Sequence, residues 1–279
     1  MKLALATLAL ALFVPQLARA QAADIPSAAP ATTPGTDTER GLALIDAMVK
    51  AIGGDAWLNR TNMQIEGRGS IFFHGEPDIG VSEYQEIHRY SPSEADRIGF
   101  LISRGALLPG KKIDVVQIMK DNHGYEITYK GLTELPQDQV DDYNRRRAHS
   151  IETVVNDWIK QPGVMIIAQS SAMLDRRIVD KVTVLTANND AVTLDLDADT
   201  HLPRRRTFQW RNPQFNDFDV EQETYDDYHT VQGLPTPYSI TRYHNGEMTS
   251  QRYITKVAYN VPADAPTFDQ NAVTVKLKK

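Results

Sequence analysis

Between residues 63 and 73 the apolar side chains Met63, Ile65, Ile71 and Phe73 fall on odd positions, while Gln64, Glu66, Arg68 and Ser70 fill the even ones. Alternation with a period of two puts one set on each side of an extended chain, so this segment reads as a strand with one wet face. Gly67 and Gly69 lie on the apolar side, where a missing side chain permits sharp curvature or the close approach of another group. Strand-like segments recur at about 80–90, 96–103, 113–120, 124–130, 164–169, 177–185, 191–196, 204–210, 218–228, 237–243 and 247–259. Turn residues separate them: Asp121-Asn122-His123-Gly124, Asn188-Asn189-Asp190, residues 198–202 and, most diagnostic of a hairpin, Asn245-Gly246. Strands joined by turns this short must pair antiparallel, since a parallel pair needs a long crossover.

Two windows depart from this period. Leu42, Ile45, Met48, Val49 and Ile52 recur at helical spacing after an N-cap at Thr36-Asp37, and Gly53-Gly54 stops the run. This predicts an amphipathic helix over 37–52. Leu135-Pro136 opens a second helix running to about Ile159, with Val140, Tyr143, Ile151, Val154, Val155 and Trp158 on its apolar side. Asp141 with Arg145, and Asp142 with Arg146, are spaced as i,i+4 ion pairs on it. A meander of antiparallel strands with one or two covering helices is an α+β fold.

The N-terminus has Met1-Lys2, an apolar run from Leu3 to Val14, and the small-x-small site Ala18-Arg19-Ala20. That layout predicts a secretory signal peptide over 1–20, cleaved to leave Gln21 at the front. The run is shorter than the ~20 residues of a membrane-spanning helix. Residues 21–36, rich in Ala, Pro and Thr, predict a flexible leader, which leaves 37–279 as a single β domain. The chain has no cysteine, so disulfides, thiolate chemistry and attachment as a lipoprotein are excluded. A net charge of −6 argues against nucleic acid and anionic membrane surfaces as partners. The expected location is the periplasm, in a form that does not span the membrane.

Motifs for chemistry are missing. There is no G-x-S-x-G, H-E-x-x-H, phosphate loop or dinucleotide fingerprint, and Ser170-Ser171 lack the glycine elbow of a nucleophile. His74, His88, His123, His149, His201, His229 and His244 form no i,i+2 or i,i+4 pair of metal ligands, so they read as surface residues. Asp195, Asp197 and Asp199 alternate into a turn but lack the glycine and distal glutamate of a calcium loop, so they read as a solvated strand face opposite buried Leu194 and Leu196. Of the two arginine runs, Arg145–Arg147 fans out around a helix. Arg204 and Arg206 share a strand face, where they pair with nearby carboxylates or meet a lipid head group or a partner's acidic residues. No catalytic residue, metal site or cofactor is expected, so an enzyme ranks behind a binding protein.

Several segments together resemble the periplasmic outer-membrane lipoprotein carrier (LolA-like) superfamily and its lipoprotein-sorting relatives. They are ALIDAMVKAIGGDAWLNRTNMQIEGRGSIFF, HGYEITYKGLTELPQDQVDDYNRR, VTLDLDADTHLPRRRTF and YDDYHTVQGLPTPYSITRYHNGE. The resemblance implies a strongly curved, half-open antiparallel β-barrel with helices over its concave side, and a cavity for acyl chains. The resulting expectation is a lipid or lipoprotein-acyl-chain carrier acting without catalysis. Its cavity wall is formed by Met63, Ile65, Ile71 and Phe73, with Ile98, Phe100 and Ile102 on a neighbouring strand. The rival expectation is a structural or adaptor module with a protein partner in the cell envelope, its sheet filled solid.

Overall fold

The computed structural model describes residues 34–91, 93–101, 113–212, 214, 215 and 217–275. The predicted signal peptide, most of the predicted leader and Ile102 lie outside these residues. Helix α1 spans Pro34–Ala51 and a single turn, α2, spans Asp55–Leu58. Six strands follow: β1 (Asn62–Phe73), β2 (Glu76–Arg89), β3 (Ala95–Leu101), β4 (Val115–Lys120), β5 (His123–Thr128) and β6 (Gly131–Glu134). Helices α3 (Gln137–Ala148) and α4 (Ile151–Asn156) and a 3-10 turn (Trp158–Lys160) come next. The rest is β7 (Met165–Ala168), β8 (Ala172–Leu174), β9 (Arg177–Leu185), β10 (Ala191–Asp197), β11 (Pro203–Arg211), β12 (Phe218–Val231), β13 (Leu234–His244) and β14 (Glu247–Tyr259).

All pairings are antiparallel, in the order β6-β5-β4-β3-β2-β1-β14-β13-β12-β11-β10-β9-β7, with β8 also on β9. The first and last strands meet in the middle of the sheet, and among the described residues its two ends do not pair with each other. This is the expected half-open α+β architecture. The hairpins follow their turn chemistry. Asp121 and Asn122 both take positive φ, as do Asn245 and Gly246, which is the twist a two-residue hairpin requires.

The first helix buries Leu44, Ile45, Met48 and Ile52, while Leu42 turns out to solvent, so the apolar stripe is rotated from the predicted one. The reason is Gly41, where an added Cβ would stand 2.7 Å from the Ile166 carbonyl oxygen. Only a glycine lets α1 lie this close to β7, and that contact sets the helix rotation.

The second predicted helix is broken in two. Ser150 takes an extended conformation and its side chain accepts a hydrogen bond from the Thr153 N–H, which caps α4 and ends the continuity with α3. Arg145 pairs with Asp142 at 2.6 Å rather than with Asp141. The two halves then behave differently. Val154, Val155 and Trp158 enter the main core, whereas α3 buries only one apolar side chain, Val140. Beneath α3, Gly124 of β5 makes room for Val140, Leu135 and Met119. The opposite face of β4 and β5 buries Val116, Ile118 and Ile127 under Val273 and Val275 of the C-terminal segment.

Candidate functional site

On the concave face the in-facing positions of β11 to β14 and β2 carry charge. Pair by pair, the register sets Arg206 beside Glu223, Glu223 beside Arg242 and Ile240 beside Arg252. Arg206, 3% exposed, donates from Nη1 to the carbonyl oxygens of Arg146 and His149, both at 3.0 Å, and from Nη2 to Glu223 at 3.2 Å. Arg242 stands 3.6 Å from both Glu221 and Glu223. Arg252 reaches across β1 to donate to Glu86 on β2 at 3.0 Å. Gly69 of β1 lies beside this side chain, where a Cβ would make an ordinary 3.5 Å contact with it. The belt continues through His88 and Asp96, which hydrogen-bond each other, to Tyr143 and Arg147 of α3.

Electrostatics divides these carboxylates. Burial would raise the Glu223 carboxyl, but the guanidinium groups of Arg206, Arg242 and Arg252 outweigh that and hold it down at about 2. At Glu86 and Glu221 burial wins over the neighbouring arginines, and both sit above the ordinary carboxylate value. Burial, followed by repulsion from Arg242, lowers Arg146 to about 10.

Between this belt and the helices lies a cavity of about 180 Å³. Ile52, Trp57, Met63, Ile65, Ile240 and Ile254 form its apolar wall, and Arg60, Glu152, Arg206, Glu223 and Arg252 its charged one. Arg60 is clamped between the rings of Trp57 at 3.8 Å and Tyr90 at 4.1 Å and donates to Glu152 at 2.6 Å. The wall is therefore amphipathic, suited to an apolar chain on one side and hydrogen-bonding groups on the other.

Of the seven predicted wall residues, Met63 and Ile65 line this cavity. Ile71 and Phe73 do not. Register shifts on β1 after Glu66 and Gly69 carry the strand end away from the helices, leaving these residues 46% and 68% exposed. Ile98 and Phe100 are half-buried on β3, beyond the charged belt, with Phe100 packed on the main core. Nothing in the sequence marks Ile240, Ile254, Arg60, Glu152, Glu223 or Arg252 as wall; Arg206, expected to pair with carboxylates from its strand face, does so with Glu223. Alternation does group Glu221, Glu223 and Tyr225 on one side of β12, but charge at alternate positions is ordinarily the mark of a solvent face.

Other polar expectations change for the same reason. His88 and His149 are buried, the first among Asp96 and Arg147, the second stacked on Phe208 at 4.2 Å. Asp195 and Asp197 are also buried rather than solvated. Arg205 covers Asp195 at 2.6 Å, and Asp197 accepts hydrogen bonds from the Thr200 N–H and hydroxyl, both at 3.0 Å. Leu194 and Leu196 occupy the buried side, as expected. Among the described residues no group of three or more acidic or histidine side chains could hold a metal ion, and no helix is long and apolar enough to cross a membrane.

No protein-family model matches the sequence, and no curated protein does. Solved structures do match. An outer membrane lipoprotein-sorting protein domain from Vibrio parahaemolyticus is 8% identical, over 84% of this chain and 98% of its own, with a TM-score of 0.52. A DUF1329 family protein from Desulfovibrio piger is 11% identical, over 86% of this chain and 99% of its own, with a TM-score of 0.54. This chain shares its fold with those two structures. At these identities the likeness is one of fold.

Proposed function

We propose that this protein is a periplasmic carrier that holds an acyl chain, of a lipid or of a lipid-modified protein, between its sheet and its helices without performing chemistry on it. The observation that carries this reading is the cavity whose apolar wall is Met63, Ile65, Ile240 and Ile254. Burying a hydrocarbon chain there is favourable in proportion to the area removed from water. The fold shared with a lipoprotein-sorting domain supports the same reading, and the signal-like residues 1–20 support the address.

At about 180 Å³ the cavity is smaller than the ~300–1,000 Å³ of ordinary ligand sites. A long chain therefore enters only if the wall at Ser150, Ile151 and Glu152 moves, and the neighbouring α3 is fastened largely by polar contacts. These are Tyr143 to Asp96 at 2.5 Å, Arg147 with Glu94, and the Arg206 bonds to its C-terminal carbonyl groups. Each such bond involves a charged group, and exchanging it for one with water has a net cost of about 1.5–3 kcal/mol. The adaptor reading is favoured by the same small volume, together with the exposed aromatic residues Phe73, Phe215 and Phe218.

Titration with a fluorescent long-chain fatty acid separates the two readings. The carrier should bind it saturably. Ile240→Trp, which fills the cavity, should weaken binding by about tenfold or more, while exposed Phe73→Ala should change neither binding nor stability beyond about 0.5 kcal/mol. A parent protein that takes up no fatty acid leaves the adaptor reading standing.

A further inference from the structure

Next to the cavity lies a second, polar cleft of about 390 Å³, lined by Arg177, Asp197, Thr200, Leu202, Arg204, Asp226, Asp227 and Tyr228. Tyr228 is a wall shared with the cavity, and its hydroxyl donates to the carbonyl oxygen of Pro203, another cavity residue, at 2.6 Å. An apolar-sided chamber thus adjoins a charged one, which is the outline of an amphiphile.

The charges in the cleft define what kind. Asp197 spends Oδ1 on the N–H groups of Asp199 and Thr200 and on the Thr200 hydroxyl. Its Oδ2 stands 3.8 Å from Arg177 and 4.0 Å from Arg204, beyond hydrogen-bonding range of both. The Arg177 side chain is 58% exposed, so its fork can turn towards a ligand anion. On the other wall Asp226 and Asp227 are largely exposed, the first 3.0 Å from Arg204 and the second 3.1 Å from His229. Two guanidinium groups face three carboxylates, so a head group carrying only negative charge meets net repulsion. One carrying an anion and a cation can satisfy both walls.

Building on the carrier reading, we propose that this cleft is the head-group subsite of the cavity and that it selects a zwitterionic amphiphile. The anionic group, such as a phosphodiester, pairs with the exposed fork of Arg177, while Arg204 stays with Asp226. The ammonium group is directed towards Asp226 and Asp227, and the chain passes Tyr228 into the cavity.

The test uses four single-chain probes with one common decyl tail, each below its critical micelle concentration, titrated calorimetrically into the full protein. They are decylphosphocholine, decyl phosphate, decyltrimethylammonium and decanol. Decylphosphocholine should bind about tenfold more tightly than decanol and more tightly than either singly charged probe. Arg177→Gln, a surface change, should weaken decylphosphocholine by about fivefold and leave decanol unchanged. Equal binding of all four probes, tightest binding of decyl phosphate, or an Arg177→Gln variant that keeps the preference would overturn the subsite while the carrier reading stands. Failure of every probe, the fluorescent fatty acid included, overturns both.

Discussion

Strands β7, β9 and β10 press Ile166, Ala168, Val182, Val184, Val192, Leu194 and Leu196 into one core with α1, whereas β11 to β14 and β2 present Arg206, Glu221, Glu223, Arg242, Arg252 and Glu86 to the helices above them. The two halves belong to one sheet, but the aliphatic one buries its in-facing side chains almost completely, whereas the side chains of Arg242 and Arg252 stay 27% exposed. Close-packed aliphatic side chains gain from burial at every contact and leave no room between helix and sheet. A belt of ion pairs repays its desolvation only while all its partners stay in place. The cavity lies against the charged half, closed by Ile52, Trp57 and the start of α4 at Ser150–Glu152. The comparison teaches that one sheet holds its helices by close apolar packing on one side and by paired charges on the other.

The sharpest way to break this contrast is to remove one charge from the belt. Glu223→Ala leaves Arg206, Arg242 and Arg252 without their common partner and should cost about 3–5 kcal/mol in urea unfolding. Replacing the pair together, as Arg206→Met with Glu223→Leu, should recover most of that loss. If the double variant is no better than the single one, the belt holds the fold by more than charge balance. On the apolar side Leu194→Ala should cost about 2–5 kcal/mol through lost transfer energy and a residual cavity. No charge substitution nearby should rescue it.

A smaller effect separates the halves by acidity. Glu223 is held at about 2 against an ordinary 4.5, so its contribution is fully present above 4.5 and is lost as the pH falls from there towards 2. Glu86 and Glu221 are raised, so their burial cost is relieved earlier, as the pH falls through their raised values to 4.5, and they offset nothing below that. Between pH 5 and pH 3 the parent's urea midpoint should fall, and the fall should be shallower in Glu223→Gln. A midpoint in Glu223→Gln that falls as steeply as in the parent would place the acid sensitivity outside the belt.

The alternation at 63–73, the turn residues at 121–122 and 245–246 and the helical spacing from 45 to 52 were sufficient to define the antiparallel sheet and its leading helix. These are local signals: a period of two or 3.6 and a positive-φ turn are set by each residue's neighbours in the chain. Met63 and Ile65 were legible as cavity wall for the same reason. Ile71 and Phe73 continue the same alternation yet face solvent, because the bulges that move them are a matter of register with β2 and β14, more than a hundred residues away in the case of β14. The rotation of α1 was settled by Gly41 against the backbone of β7.

What the tertiary structure alone decided is which polar residues are inside. Nothing in the sequence marks Arg60, Glu223 or Arg252, and Arg206 is expected only to pair on a strand face; their burial follows from partners supplied by distant strands and helices: Glu152 for Arg60, Glu86 for Arg252, and the carbonyl groups ending α3 for Arg206. The sequence by itself determined the period of each segment and hence which side chains share a face. Whether that face meets water, hydrocarbon or an opposite charge depends on what folds over it, and a buried charge is tolerable only where the fold delivers its counter-charge.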